Sequence, residues 1–251
     1  MKKISFPLLG VIFIFIEIAQ MNPAWANIGQ PSMTQGASQG RQSTLKELPL
    51  PAQEAVSAAL GQEDRTYHIF EGRKGFEAQN AAQGLAMDFN RGTVLFRAGE
   101  NDWGLRLEGM GREDYTPLPE AKPVRKANRL EYVRGPVREW YLNGPLGLEQ
   151  GFTVSTRPWG KSHIPFVLEL TMSGDLRAWV DQDQRGLSLT KGDGSKVLKY
   201  GGLRAYDAAG KELLTWLEVK GSQLWVKIKD DLATYPVTID PFLQQQELTA
   251  S

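Results

Sequence analysis

The stretch Phe166-Val167-Leu168-Glu169-Leu170-Thr171-Met172-Ser173-Gly174-Asp175-Leu176-Arg177-Ala178-Trp179-Val180 decides how the chain is to be read. Phe166, Leu168, Leu170 and Met172 fall on every second position, Ser173-Gly174-Asp175 supplies turn chemistry, and Leu176, Ala178 and Val180 resume the same period. A period of two places alternate side chains on opposite faces of a strand, whereas a helix repeats its apolar residues at i, i+3 and i+4. The pattern extends both ways, through Leu85, Met87 and Phe89, then Leu105 and Leu107, then Leu146, Leu148, Phe152 and Val154, and finally Leu224, Val226 and Ile228. Turn clusters at Asn90-Arg91-Gly92, Asn143-Gly144-Pro145, Lys191-Gly192-Asp193-Gly194, Ala209-Gly210 and Lys220-Gly221-Ser222 punctuate these runs. A turn every ten or so residues is the spacing of antiparallel sheets packed as a sandwich or barrel. No helical pattern separates consecutive strands, which argues against a parallel α/β sheet. The expected fold is all-β: one or two antiparallel β-sandwich-like domains with one short N-terminal helix.

That helix begins near Pro51, which suits a first helical turn, and Gly61 can cap its end. Ala52, Ala55, Val56, Ala59 and Leu60 repeat at helical spacing, so this stripe is expected to lie against something larger. The domain plan is residues 1–26 as a signal peptide, 27–47 as a flexible linker and 48–116 as the helix with a first strand group. A proline-rich crossing follows at 117–127 (Pro117, Pro119, Pro123), then a second strand group at 128–242, and 243–251 as a tail or the start of a repeat. In the leader, Lys2 and Lys3 precede an apolar run from Phe6 to Ile16, and Ala24-Trp25-Ala26 is a small-x-small cleavage site. A span needs roughly 20 apolar residues, but this run meets Pro7 near its start and Glu17 at its end. Cleavage is therefore expected after Ala26. The mature chain is expected to be secreted, periplasmic or at the cell surface, with no stable membrane span.

Composition excludes several mechanisms. Among 251 residues there is no cysteine, so thiol nucleophiles, thiolate metal sites, disulfides and a lipidated N-terminal cysteine are impossible. The 29 basic and 29 acidic side chains balance, which gives no electrostatic basis for holding a nucleic acid. His68 and His163 are the only imidazoles, and no Gly-x-Ser-x-Gly elbow accompanies them. Glu131, Glu139 and Glu149 invite a glycosidase reading, since two carboxylates roughly 5 to 10 Å apart can flank a glycosidic bond. Carboxylates on the polar faces of strands are the plainer reading. Asp181-Gln182-Asp183-Gln184-Arg185-Gly186 opens like a calcium loop, but Arg185 stands at its third acidic position and Gly192 at its twelfth, so a hairpin turn is favoured. No catalytic residue, metal or cofactor is assigned.

The tryptophans offer an interaction surface. Trp140 shares a face with Leu142 and is expected in the core. Trp179, between Arg177 and Asp181, and Trp225, beside Gln223, Lys227 and Lys229, fall on outward faces, and Trp159 sits in the loop-like Arg157-Pro158-Trp159-Gly160-Lys161. Exposed indoles can stack on sugar rings or anchor a protein contact. Long basic side chains can also simply cover them.

Two segments carry a family resemblance. Glu139-Trp140-Tyr141-Leu142-Asn143-Gly144-Pro145-Leu146-Gly147-Leu148-Glu149-Gln150-Gly151-Phe152-Thr153 resembles the N-terminal region of secreted bacterial proteins with FG-GAP, integrin-α-like β-propeller repeats. Tyr235-Pro236-Val237-Thr238-Ile239-Asp240-Pro241-Phe242 looks like the junction where the first repeat begins. The resemblance spans roughly Leu48 to Ser251 and implies a β-rich module ahead of a propeller, with no catalytic residues. The chain stops at Ser251, where such proteins continue into repeats, so the domain is expected either as a piece of that architecture or as one acting alone. The leading expectation is a non-catalytic structural or interaction module whose partner is a downstream propeller or another surface protein. The alternatives are a glycan-binding module using Trp159, Trp179 or Trp225 and, more weakly, a glycoside hydrolase.

Overall fold

The computed structural model describes residues 50–245. The expected signal peptide, the linker and the last part of the tail lie outside the described residues. Helix α1 (Leu50–Glu63) precedes an antiparallel meander of β1 (Phe70–Gly72), β2 (Gly75–Asn80), β3 (Leu85–Phe89), β4 (Thr93–Ala98) and β5 (Asn101–Gly111), with the short β6 (Tyr115–Pro117) turning back on β5. A second meander follows: β7 (Val124–Lys126), β8 (Arg129–Arg134), β9 (Val137–Gly144) and β10 (Gly147–Val154). The chain then alternates between layers through β11 (Phe166–Gly174), β12 (Arg177–Val180), β13 (Leu187–Thr190), β14 (Lys196–Tyr206), β15 (Leu214–Lys220), β16 (Gln223–Lys229) and β17 (Val237–Gln245).

Two sheets result. The first is nine-stranded, in the order β1-β2-β3-β4-β5-β11-β16-β15 with β6 beside β5; the second is eight-stranded, in the order β12-β13-β14-β17-β10-β9-β8-β7. The fold is thus an all-β antiparallel sandwich with one helix. The second strand group contributes β11, β15 and β16 to the sheet begun by the first, so the two groups share one core. Strand β17 takes in Leu243, Gln244 and Gln245, the start of the segment expected as a tail.

The sheets face each other through their alternating apolar residues. Phe166, Leu168 and Leu170 of β11 and Leu224, Val226 and Ile228 of β16 are fully buried from one side, as are Leu148, Phe152 and Val154 of β10 from the other. Edge-to-face pairs cross between the layers, Phe89 with Tyr141 at 5.2 Å and Trp103 with Tyr200 at 5.7 Å between ring centroids.

Helix α1 departs from its expected orientation. Ala55, Val56 and Ala59 of the apolar stripe are exposed, Val56 to 36%, whereas Ser57 is only 3% exposed. The reason is that small and polar groups give the closer fit on the second sheet. Ser57 Oγ accepts the Leu146 N–H at 3.2 Å, Asn128 Nδ2 donates to the Ala58 carbonyl at 3.1 Å, and Glu54 pairs with Arg204 of β14. Gly61 comes so near the β9–β10 hairpin that an added Cβ would lie 2.1 Å from the Asn143 carbonyl.

Candidate functional site

The outer face of the first sheet carries a trough whose origin lies in β5. One extra residue of β5 slips the register against β11 between Glu169 and Leu170, and beyond this bulge Gly109 pairs with Glu169 and Gly111 with Val167. Bulges re-aim the side chains that follow them. Here the outward positions of β5 are glycines, which lets the returning chain lie down on the sheet: an added Cβ at Gly111 would be 2.0 Å from the Asp114 carbonyl. Tyr115 of β6 lies over Gly109, where a Cβ would come within 2.5 Å of the tyrosine Cζ. On the other flank, Glu169 pairs with Trp225 of β16. A carboxylate is thereby set between two aromatic side chains, in a depression of about 280 Å³ that Lys227, Asp114 and Glu113 also line.

The polar groups of the trough are held in place. Gln223 Nε2 donates to Glu169 Oε1 at 2.9 Å, and Lys227 Nζ donates to Glu218 Oε2 at 2.8 Å while standing 5.8 Å from the centroid of the Trp225 ring. Trp216 Nε1 donates to the other oxygen of Glu218 at 3.0 Å, and the bonds from Lys227 and Trp216 hold the Glu218 carboxyl below its ordinary range. Burial pushes the Tyr115 hydroxyl up to about 12, helped by the charges of Glu169 and Glu108. It stays a neutral donor at any ordinary pH. The floor of the trough is anchored from beneath, because the wholly buried Arg112 guanidinium donates to Asp230 Oδ2 at 2.6 Å and to the Ile164 carbonyl.

The three tryptophans singled out from the sequence do not form one site. Trp225 is the half-covered wall of the trough. Trp159 stands 93% exposed on the loop before β11, whose neighbouring Pro158 carbonyl accepts from Arg112 Nε at 3.3 Å. Trp179 is 60% exposed on the edge strand β12, with Nε1 donating to Thr190 Oγ1 at 3.1 Å. It overlooks a different groove, about 550 Å³, walled by Met172, Leu176, Val180 and Val219. Trp140 proves to face outward, away from the inter-sheet core. Its indole lies across Gly151, where a Cβ would sit 2.0 Å from Cζ2, and Arg129 covers it at 4.7 Å, leaving 7% exposed.

The three glutamates are also dispersed. Glu131 lies in surface pairs with Arg129 and Arg138. Glu139 points between the sheets, where Tyr141 donates to it at 2.6 Å and Arg134 and Gln150 at 3.2 Å; burial raises its carboxyl, against which those three donors act. Glu149 faces the other way, towards α1, and shares a hydrogen bond with Asp240 of β17. Burial raises both carboxyls of that pair above the ordinary range, and the Glu54 charge adds to it. The two carboxyls therefore share a proton and titrate as one pair. The sequence signal for Asp240 is a carboxylate between Ile239 and Pro241 in an apolar run.

His68 Nε2 bonds to the Gln62 carbonyl at 2.9 Å. The calcium-like loop is a turn in which Asp181 accepts from Ser188 and Lys199 while Asp183 accepts the Arg185 N–H at 2.9 Å. Among the described residues no group of three metal-ligating side chains converges, and no helix is long and apolar enough to cross a membrane. No family model, no curated protein and no solved structure matches the chain.

Proposed function

We propose that this chain is a non-catalytic interaction module of an exported protein, of the kind that precedes a repeat β-propeller. The observation that carries the reading is how the chemistry is distributed. The carboxylates that could have acted on a substrate are each engaged by separate protein partners, whereas Trp159 and Trp179 are presented to solvent. Buried, paired carboxylates serve structure, and large exposed aromatics serve contact. The two segments that carry the family resemblance also lie side by side, β10 hydrogen-bonded to β17 at the middle of the second sheet. This adjacency supports reading them as parts of one module.

The test incubates the purified full chain with a panel of chromogenic glycosides and measures the mass of the protein released by the producing cells. The expected outcome is no turnover, with a mature mass that begins at Asn27. Turnover abolished by Glu149→Gln or Glu139→Gln would make it an enzyme, and a mass that retains Met1 would remove export. The carbohydrate-binding reading keeps a place beside this one, favoured by Trp225, whose indole shares a depression with the Glu169 carboxylate that Gln223 holds at 2.9 Å.

A further inference from the structure

We infer that the trough between Tyr115 and Trp225 is a binding site for a neutral or amino-sugar ring, a proposal that rests on the carbohydrate-binding reading above and locates it. A sugar site needs an aromatic surface for the C–H face of the ring and a few fixed polar groups for its hydroxyls. Trp225, Glu169 and Tyr115, the last resting on Gly109, line one depression and supply both. Glu169, which lines the depression, accepts from Gln223 through Oε1 and keeps acceptor capacity for hydroxyls, and the ammonium of Lys227 keeps donor capacity beyond its bond to Glu218. Because these partners are already ordered, a ligand does not have to immobilise them.

Two further features select the class of ligand. The volume of about 280 Å³ is near the lower end of small-molecule sites, roughly 300 Å³, so it takes one ring of a chain and leaves the rest in solvent. Acidic groups outnumber basic ones at the surface: Asp114 and Glu169 line the trough with Lys227, Glu113 is paired with Lys161 at 3.2 Å, and the Arg112 guanidinium is buried on Asp230. A uronic or sialic acid would meet like charge there. The other aromatic positions lack the fixed carboxylate. The Trp179 groove is lined by aliphatic side chains with Ser173, Arg177 and Ser222 and by no acidic residue, and Trp159 is 93% exposed.

The test is calorimetric titration of the full chain with cellohexaose, with the N-acetylglucosamine hexamer and with polygalacturonate as the acidic comparison. Binding to one of the first two and none to polygalacturonate is expected. Tyr115→Ala and Trp225→Ala should each weaken it about tenfold or more, the scale of a lost aromatic contact, and Glu169→Gln about tenfold. Trp159→Ala and Trp179→Ala should leave it unchanged. Tyr115 is on a three-residue edge strand, so its variant decides the matter if Trp225→Ala fails to fold. Binding that survives the trough variants but falls with Trp179→Ala or Trp159→Ala overturns this site and keeps the carbohydrate reading. Binding to polygalacturonate alone overturns the charge argument, and binding to none of the three overturns both site and reading.

Discussion

The outer faces of the two sheets repeat one device and use it differently. On each, an aromatic ring lies across a glycine of a neighbouring strand: Trp140 over Gly151 on the second sheet, Tyr115 over Gly109 on the first. Beside each stands a carboxylate, Glu149 in one case and Glu169 in the other. On the second sheet Arg129 closes over the indole and α1 is seated through Glu54 and Arg204, so the polar groups are consumed by one another. On the first sheet Gln223 holds the carboxylate from the side, and Tyr115 stays 46% exposed. What turns a polar aromatic patch into framework or into a site is its cover.

If that comparison is right, the largest loss comes from unseating the cover. The Arg204–Glu54 pair is largely buried, with side chains 12% and 14% exposed, and removing one member of such a pair strands the other charge. Arg204→Met should cost about 3 kcal/mol in urea unfolding, with amide protection lost first along α1. A loss under about 1 kcal/mol, within the range of surface pairs, would mean that α1 is held by something else.

Next come the two glycines. Gly151→Ala forces a methyl into a ring that cannot retreat beneath Arg129 and should cost about 2–3 kcal/mol; Gly109→Ala meets both the Tyr115 ring and the Thr116 carbonyl at 2.5 Å, but β6 is a three-residue edge strand that can move off, so it should cost about 1 kcal/mol. Equal losses in the denaturation midpoints would break the contrast between covered and open faces.

The Glu149–Asp240 pair sets a pH dependence. Both folded-state values are raised above the ordinary carboxylate values, so the folded chain holds protons that the unfolded chain releases. The stabilising contribution is full below about pH 4, the unfolded value, and is lost as pH rises through the raised folded values. From pH 5 to 9 the wild type should lose about 2 kcal/mol that Asp240→Asn does not. A parallel decline in both proteins would assign the effect elsewhere. The smallest expected effect is on the exposed side of α1: Val56→Lys should change stability by less than about 0.5 kcal/mol, while Ser57→Leu on the seated side should be clearly worse.

These contrasts separate what the sequence could convey from what it could not. Period two in Phe166–Met172 and Gln223–Lys229 is a local signal, and it correctly sorted inward from outward residues, Trp225 included. It could not say that the turn at Ser173-Gly174-Asp175 carries the chain from the first sheet to the second, because the same turn residues serve a hairpin equally well. The helix misled for a different reason. Its alanines make a stripe at helical spacing, but alanine buries little area, and the seat was settled by Ser57, by Gly61 and by an ion pair to Arg204, 150 residues away. Trp140 shares a face with the apolar Leu142, which points to the core, while the missing side chain of Gly151 lets it lie flat outside. The trough was the least legible feature. Tyr115, Gly109, Glu169 and Trp225 meet through three strand pairings and a one-residue bulge, none of which is written in any local pattern.

Strand β17, which lies between β10 and β14, has a consequence for biosynthesis. Until residues 237–245 leave the ribosome, β10 and β14 each present an open hydrogen-bonding edge, and the second layer stays split into two unjoined halves. Such edges are templates for pairing with another chain, and contacts this distant along the chain form slowly. A nascent polypeptide halted before Val237 is therefore a client for chaperones and proteases, even though most of its strands have already been made.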